Sequence, residues 1–593
     1  MVQHTYSIDT ETYYDAVVSA ETLGPWMYHR HPDTAAYLVA IAGTDGTRYC
    51  GDPAAAPWGA IAGGVWVSHN AAFDQLAYLR LGASGGGPAE WHCTADLAAY
   101  LQAPRNLAGA CRELMGVSVD KSARDRMKGV RWSDLNEIGR AEMREYGQRD
   151  ADLCLQLWTR YADQWPDRER RLSEHGRRMM MAGLPVNRQK IVDGVASLQR
   201  AVDAVLAGIP WVAEGKKPLS RDPFDAYCTE QGLPIPDSMA KNDDDFAEWL
   251  DKYSEDHPVV GHLRTFRSAN AFLKKAETLR DWTDETGVFR VSLLYCGADA
   301  TLRWTGKQGD GNDKNKRGFN PQNLPRAPVY GMDFRGSIQA PPGYTFVIAD
   351  LGQIEPRAHD WLTDDTASLE LLRAGWHPYE AHGKQIGYDV NPGLFKKQNP
   401  LGYNVSKAQR IALGYRMGPE RYIKAAILYT DGKYHPTFAQ ALKDVRSFRK
   451  SKPLIVNMWT ALERQMTDSI GGDFVMELPS GNKVRYFDVR RGRYGLEARV
   501  IRGGRFYTWH GGILTENLVQ ATARDIFAEV LLRLEDAGVD VRLHVHDEAV
   551  ALCRVDEAAE VARVMERCMT TPPDWMADLP LGCEVNVTEV YCK

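Results

Sequence analysis

Two groups of carboxylates lie in this chain at spacings that suit divalent cations. The first begins at Asp9-Thr10-Glu11, where side-chain alternation along an extended strand puts both acids on one face. Asp74 closes Asn70-Ala71-Ala72-Phe73-Asp74 at the start of a predicted helix, and Asp150 closes Tyr146-Gly147-Gln148-Arg149-Asp150, where one helical turn sets Tyr146 beside it. Acids from separate elements repel one another unless cations sit between them, and hard oxygen ligands suit Mg2+ or Mn2+. Two such ions, roughly 3.5–4 Å apart, can activate a water and stabilise the leaving oxygen of a phosphodiester. Tyr146 is placed to orient that water.

The second group comprises Asp350, in Asp350-Leu351-Gly352-Gln353-Ile354-Glu355-Pro356-Arg357, and the triplet His546-Asp547-Glu548. Asp350 ends the buried-strand run Thr345-Phe346-Val347-Ile348-Ala349. The triplet separates an alternating run, Val539, Val541, Leu543 and Val545, from a second apolar run over 549–552, so it is predicted at a tight turn. A pair of ions here would suit the opposite chemistry, activation of a primer 3′-hydroxyl and neutralisation of a triphosphate as pyrophosphate leaves. A predicted helix over 406–416 carries Lys407, Ile411 and Tyr415 on one face, with Arg410 close to it. Lysine offers a compact charge to phosphates and tyrosine an aromatic plane beside a base. Standing alone, that segment reads as an amphipathic surface helix.

The elements that must position these residues are legible in outline. Residues 1–160 alternate short strands (Tyr6-Ser7-Ile8, Gly64-Val65-Trp66-Val67) with helices over Ala71–Leu81 and 133–161, an α/β pattern. Residues 165–290 are mostly charged helical sequence, including Asp244–Tyr253 and 257–279, and the pattern turns mixed again from about 291. Val519, Ala523, Ile526, Phe527, Val530, Leu531 and Leu534 recur at helical spacing, with Gly538 suited to the C-terminal cap. A polar run over 309–318, rich in Gly, Asp, Asn and Lys, is predicted to be a loop.

At 593 residues, 44% hydrophobic and 25% charged, the chain is predicted to form several globular domains. It has no run of the roughly 20 apolar residues that spans a bilayer, and its first residues lack a basic region followed by an apolar one. A cytoplasmic protein without membrane partners is expected. The ten cysteines include no C-x-x-C pair, so neither a zinc site nor a disulfide framework is indicated. The net charge of −6 argues weakly against nucleic acid, but residues 396–424 hold seven basic side chains against one acid, and 301–335 seven against three.

In their order and spacing these motifs resemble two known families. Residues 1–160 resemble the proofreading 3′→5′ exonucleases of RNase H-like fold, whose signature is four acids and a tyrosine; the likeness implies Asp9, Glu11, Asp74 and Asp150 as metal ligands and Tyr146 as their catalytic partner. Residues 170–593 resemble family A DNA polymerases, in particular the bacteriophage replicative type. That likeness implies Asp350 and Asp547 as ligands of two Mg2+ or Mn2+ ions, Glu548 as a supporting carboxylate, and Glu355 as the residue that blocks a ribose 2′-hydroxyl. It assigns Lys407, Tyr415, Ile411 and Gln353 to the nucleotide and Arg357 and His546 to DNA. Arg303-Trp304-Thr305-Gly306 and Pro321-Gln322-Asn323-Leu324-Pro325-Arg326 resemble the segment that touches the primer–template minor groove, through Arg303, Gln322 and Asn323. Gln520, in Glu516–Asp525-type sequence before the third motif, is implied at the nascent pair.

The fold implied is a multidomain α/β and α+β chain, an exonuclease domain (1–165) followed by a right-hand polymerase with thumb (166–290), palm (291–360), fingers (361–500) and the rest of the palm (501–593). Primer–template DNA, dNTPs and phage replisome factors are the partners implied, for a monomer. There are departures from the family pattern. Gly352 replaces a serine, Arg416 a glycine, and Tyr403 an arginine that meets the triphosphate; Arg410, Lys396 or Lys397 is expected to take over that contact. Ile411, where Phe or Tyr is common, implies poor use of dideoxynucleotides. A single-subunit RNA polymerase would share the architecture, but Glu355 would clash with ribonucleotides.

Overall fold

The computed structural model describes residues 3–82, 85–240, 243–306 and 317–592; nearly all of the polar 309–318 run lies outside them. In the N-terminal part, β1 (Thr5–Thr12), β2 (Ala36–Gly43), β3 (Arg48–Gly51), β4 (Val65–Ser68) and β5 (Glu90–Cys93) form a sheet of order β3-β2-β1-β4-β5. β1 pairs antiparallel with β2 and parallel with β4. Tyr6, Ile8, Trp58, Trp66 and Trp91 fill the core beneath it. α1 (Ala71–Leu81) leaves β4 almost at once, and α2 (Glu137–Tyr161) lies across β1 and β2. α2 starts four residues later than the sequence pattern predicts, because Asn136 caps it by accepting from the Gly139 amide while Trp132–Asp134 forms a separate 3-10 turn.

Three long helices follow, α3 (Asp167–Ala182), α4 (Arg188–Leu206) and α5 (Pro258–Trp282). Val195, Leu198 and Val202 of α4 pack on Ala269, Leu273 and Ala276 of α5, and the same core continues into Phe346, Ile348, Leu543 and Val550 of a second sheet. Helices Pro210–Ala213, Arg221–Glu230 and Asp244–Tyr253 gather around Trp211, Phe224, Phe246 and Leu263 as a separate small core.

Beyond these, β6 (Leu293–Ala298) and β7 (Arg303–Gly306) pair as a hairpin and lead to β8 (Tyr344–Leu351) and α6 (Ile354–Leu362). α7 (Pro400–Ala408) runs into a π-helical turn, Gln409–Leu413, and α8 (Pro453–Asp468) follows. Next come β9 (Phe474–Glu477), β10 (Lys483–Gly492), β11 (Gly495–Arg499) and β12 (Tyr507–Trp509), an antiparallel sheet in sequential order. α9 (Gly511–Asp536), β13 (Val541–Val545), β14 (Glu548–Arg554), α10 (Ala558–Thr570) and β15 (Cys583–Thr588) complete the chain. The sheet that positions the second acid group has order β13-β14-β8-β15, and the seven apolar α9 residues read from the sequence are all buried against its surroundings.

The sheet Phe474–Trp509 runs across the boundary expected at residue 500 and was not legible in advance. Tyr486 and Phe487 are adjacent yet both buried, and the pairing of β10 with β11 shifts register after Phe487, where Asp488 adopts φ +55°. A bulge of this kind erases the period-two signal. Among the described residues no helix is long and apolar enough to cross a membrane.

Candidate active sites

In the N-terminal site the acids arrive from three elements. Asp9 and Glu11 sit on β1, Asp74 in the first turn of α1, and Tyr146 and Asp150 one turn apart on α2. Asp74 Oδ1 accepts from the Thr10 amide at 2.9 Å and the Thr10 hydroxyl at 2.7 Å, which ties α1 to β1. Burial, followed by the field of Asp150, pushes Asp9 up to about 7. Burial and then Asp9 raise both Glu11 and Asp74 well above the usual carboxylate range, although the Thr10 hydrogen bonds oppose the rise at Asp74. Burial and Asp150 likewise hold the Tyr146 hydroxyl protonated. Asp9 Oδ2 and Asp150 Oδ1 are buried and accept no hydrogen bond from described residues. Hard oxygens crowded together, with orphaned lone pairs, fit Mg2+ or Mn2+. Among the described residues, however, no three His, Cys, Asp or Glu side chains close into a finished cage. Two neighbours missed in the sequence are Lys121, whose Nζ lies 2.5 Å from Asp150 Oδ2 and 3.1 Å from the Tyr146 hydroxyl, and Arg124, which lowers Glu11 and Asp9. Neither falls at a spacing that singles it out.

The second site rests on sheet register. β8 and β14 pair antiparallel with Asp350 opposite Glu548, and the Leu351 amide donates to the Asp547 carbonyl at 3.2 Å. Val545 pairs with Glu548, which leaves His546 and Asp547 as a two-residue turn with His546 at φ +57°. Acids about 200 residues apart in sequence therefore meet. Glu548 is buried and accepts from the Tyr591 hydroxyl at 2.6 Å.

Beside this hairpin opens a cavity of about 510 Å3. Arg303, Gln322, Gln353, Glu355, Arg410, Ile411, Tyr415, His546 and Asp547 line it, as does Arg326, which the sequence reading quoted without assigning it a role. Arg303 and Glu355 form an ion pair. Tyr415 stacks on His359, centroids 5.4 Å apart and planes 2° apart; burial, then Arg410 and Lys452, keep that imidazole neutral. Gln322 donates to the Trp304 carbonyl at 3.1 Å, and Asn323 is exposed, its carbonyl accepting from Lys275 of α5 at 3.1 Å. Gln520 stands off the cavity, its amide 3.3 Å from Glu516 Oε1.

Two assignments need correction. Arg357, implied as a DNA contact, is buried, and its guanidinium donates to the carbonyls of Gly352 and Pro580, both at 2.7 Å. It ties α6 to the segment before β15. Arg410, expected with Lys396 or Lys397 at the triphosphate, does line the cavity, with Nη2 on Asp360 at 2.7 Å and on the Pro356 carbonyl at 3.2 Å. Finally, Lys407, Ile411 and Tyr415 do not share a simple helical face, because the π turn after Ala408 shifts the phase. Ile411 and Tyr415 reach the cavity, while Lys407 stands outside its lining, 5.5 Å over the Tyr429 ring; burial and then Arg326 and Lys396 lower its pKa. Lys396 lies 6.0 Å over the ring of Tyr403, the position of the missing arginine.

No family model matches the chain. It is 26% identical over 611 residues to the DNA polymerase of Bacillus phage SP02, covering 89% of each chain. It is 25% identical to the thermostable DNA polymerase I of Thermus aquaticus, over 70% of this chain and 45% of that protein. Among solved structures it superposes on the POL domain of Pol1 from M. smegmatis, in complex with DNA primer-template and dNTP, with a TM-score of 0.68 at 16% identity, covering 100% of this chain and 96% of that one. The chain is similar to a phage DNA polymerase and to bacterial DNA polymerases I. The match covers nearly the whole length of the phage protein, whereas the chain spans under half the length of the Thermus protein.

Proposed function

We propose that the chain is a template-directed DNA polymerase that extends a primer 3′-hydroxyl with dNTPs and trims mismatched ends with a 3′→5′ exonuclease. The register that sets Asp350 opposite Glu548, with Asp547 at the adjoining turn beside a cavity rich in Arg, Gln and Tyr, carries the first half of this reading. Asp350 and Asp547 would hold two Mg2+ or Mn2+ ions, with Glu548 in support. When bound, such ions acidify the attacking hydroxyl and offset charge on the departing pyrophosphate.

The remaining roles belong to side chains. Tyr415 offers its ring to the nascent base pair, backed by His359. Glu355, held by Arg303, fills the space a 2′-hydroxyl needs, which favours DNA over RNA synthesis. Lys407, Arg326 and Lys396 supply positive charge for the triphosphate at the cavity's rim. In this reading the helices of residues 166–290 grip duplex phosphates as a thumb, so affinity falls steeply with salt. A frayed 3′ end would pass to Asp9, Glu11, Asp74 and Asp150, where Tyr146 orients the attacking water. The phage relative supports a role in phage genome replication in the host cytoplasm.

Asp350→Ala is expected to abolish primer extension and leave degradation of a single-stranded oligonucleotide intact, and Asp9→Ala to do the reverse. Loss of both activities from either variant, with the fold retained by circular dichroism, would refute the two-site assignment.

A further inference from the structure

A buried polar cluster lies under the cavity, and neither proposed reaction uses it. Glu169 of α3 has no exposed surface, and both its oxygens are engaged: Oε1 accepts from Arg524 Nη1 at 2.7 Å and Asn482 Nδ2 at 2.8 Å, Oε2 from Arg524 Nη2 at 2.9 Å and the Tyr295 hydroxyl at 2.7 Å. Arg524, in α9, also places Nη1 3.0 Å from Asp525 Oδ1. Its guanidinium carbon lies 4.4 Å from the Trp304 ring centroid, and the Trp304 ring meets His544 edge to face, 4.9 Å away at 74°. His544 precedes Asp547 by three residues on β13 and its turn. Arg524, Trp304, His544 and Asp547 all line the cavity.

The arrangement is a poor device for stability alone. Apolar residues of similar volume usually stabilise a core as well as a buried ion pair does, and α9 also buries Ala523, Ile526, Phe527 and Val530. A two-pronged carboxylate–guanidinium pair instead fixes the orientation of a plane. Here the fixed plane is the one on which Trp304 rests. We propose that Glu169 is a positioning residue for primer extension, acting through Arg524, Trp304 and His544 on the strand that presents Asp547. The inference rests on the polymerase reading above.

The test compares Glu169→Gln, Arg524→Met and the combined variant for single-turnover extension, dNTP half-saturation, exonuclease rate on a single-stranded oligonucleotide, and Tm. Glu169→Gln takes from the buried guanidinium the carboxylate that meets both its terminal nitrogens and leaves it Asp525, so Tm is expected to fall; extension should slow about tenfold with dNTP half-saturation nearly unchanged, the pattern of a lost transition-state interaction. The exonuclease rate should not move. The combined variant also carries Asp525→Asn, because loss of Arg524 would otherwise deprive that buried carboxylate of its guanidinium partner; with all three charges removed it should regain Tm while extension stays slow. If extension recovers together with Tm, or if extension and exonuclease rates fall in parallel, the pair is merely structural and the inference is overturned. Should Glu169→Gln fail to fold, the combined variant alone decides: normal extension refutes the role and slow extension at normal Tm supports it. A wild-type chain that cannot extend primers would sink the polymerase reading instead, a result distinguishable from any of these.

Discussion

At the N-terminal site β1, α1 and α2 deliver the acids separately, and their meeting depends on how the helices pack over a tryptophan-rich core. At the C-terminal site two strands deliver them, and backbone pairing holds Asp350 opposite Glu548 whatever the side chains do. The consequence is electrostatic. Side-chain packing buries Asp9, Glu11 and Asp74 within one another's fields and raises their proton affinity. Sheet register instead sets Asp547 at a turn that opens onto a cavity lined by Arg303, Arg326 and Arg410. The first site is therefore expected to lose cations to protons as pH falls through about 7.

The largest effect that would sharpen this contrast comes from Asp547→Asn, expected to reduce extension by about a thousandfold or more while the exonuclease rate holds, as read from the two activities in one preparation. Next comes pH. Because Asp9 is pushed up to about 7, its proton competes with a cation below that value. The exonuclease rate at limiting Mg2+ should fall about tenfold per pH unit below 7, and extension should not follow. A pair of profiles that fall together would break the comparison.

The same groups give a stability prediction. Their folded pKa values lie above those of the unfolded chain, so the folded state binds more protons between the two values. Their contribution to stability is greatest at low pH and is lost as pH rises through the folded values, about 7 for Asp9. Without divalent cations Tm should be lower at pH 8 than at pH 5.5, and added Mg2+ should remove the difference; calorimetry with and without chelator reads both. The smallest effect is at Tyr591, whose hydroxyl donates to Glu548. Tyr591→Phe should slow extension only a few fold, since strand pairing keeps Glu548 in place. A thousandfold loss would show that side-chain contacts, rather than register, hold the second site.

Much of this molecule was legible in its residues. Asp9-Thr10-Glu11 on a strand, Asp74 opening a helix, Tyr146 and Asp150 one turn apart, and His546-Asp547-Glu548 between two strands all follow from period-two and period-3.6 patterns, which are properties of local backbone geometry. Where the pattern breaks locally, the reading broke too. The π turn at Gln409–Leu413 moves Lys407 off the face of Tyr415, and the bulge after Phe487 hides a whole sheet. The partners of long polar side chains were beyond reach for a different reason. Whether Arg357 meets DNA or two carbonyls, whether Arg410 meets a triphosphate or Asp360, and that Glu169 closes on Arg524 across 355 residues all depend on which groups the fold brings within hydrogen-bond distance. Residue type and local spacing determined which chemistry this chain can carry and on which elements. Tertiary structure alone decided which charges face the cavity and which neutralise each other beneath it, because a flexible arginine or lysine pairs with whatever anion burial leaves closest.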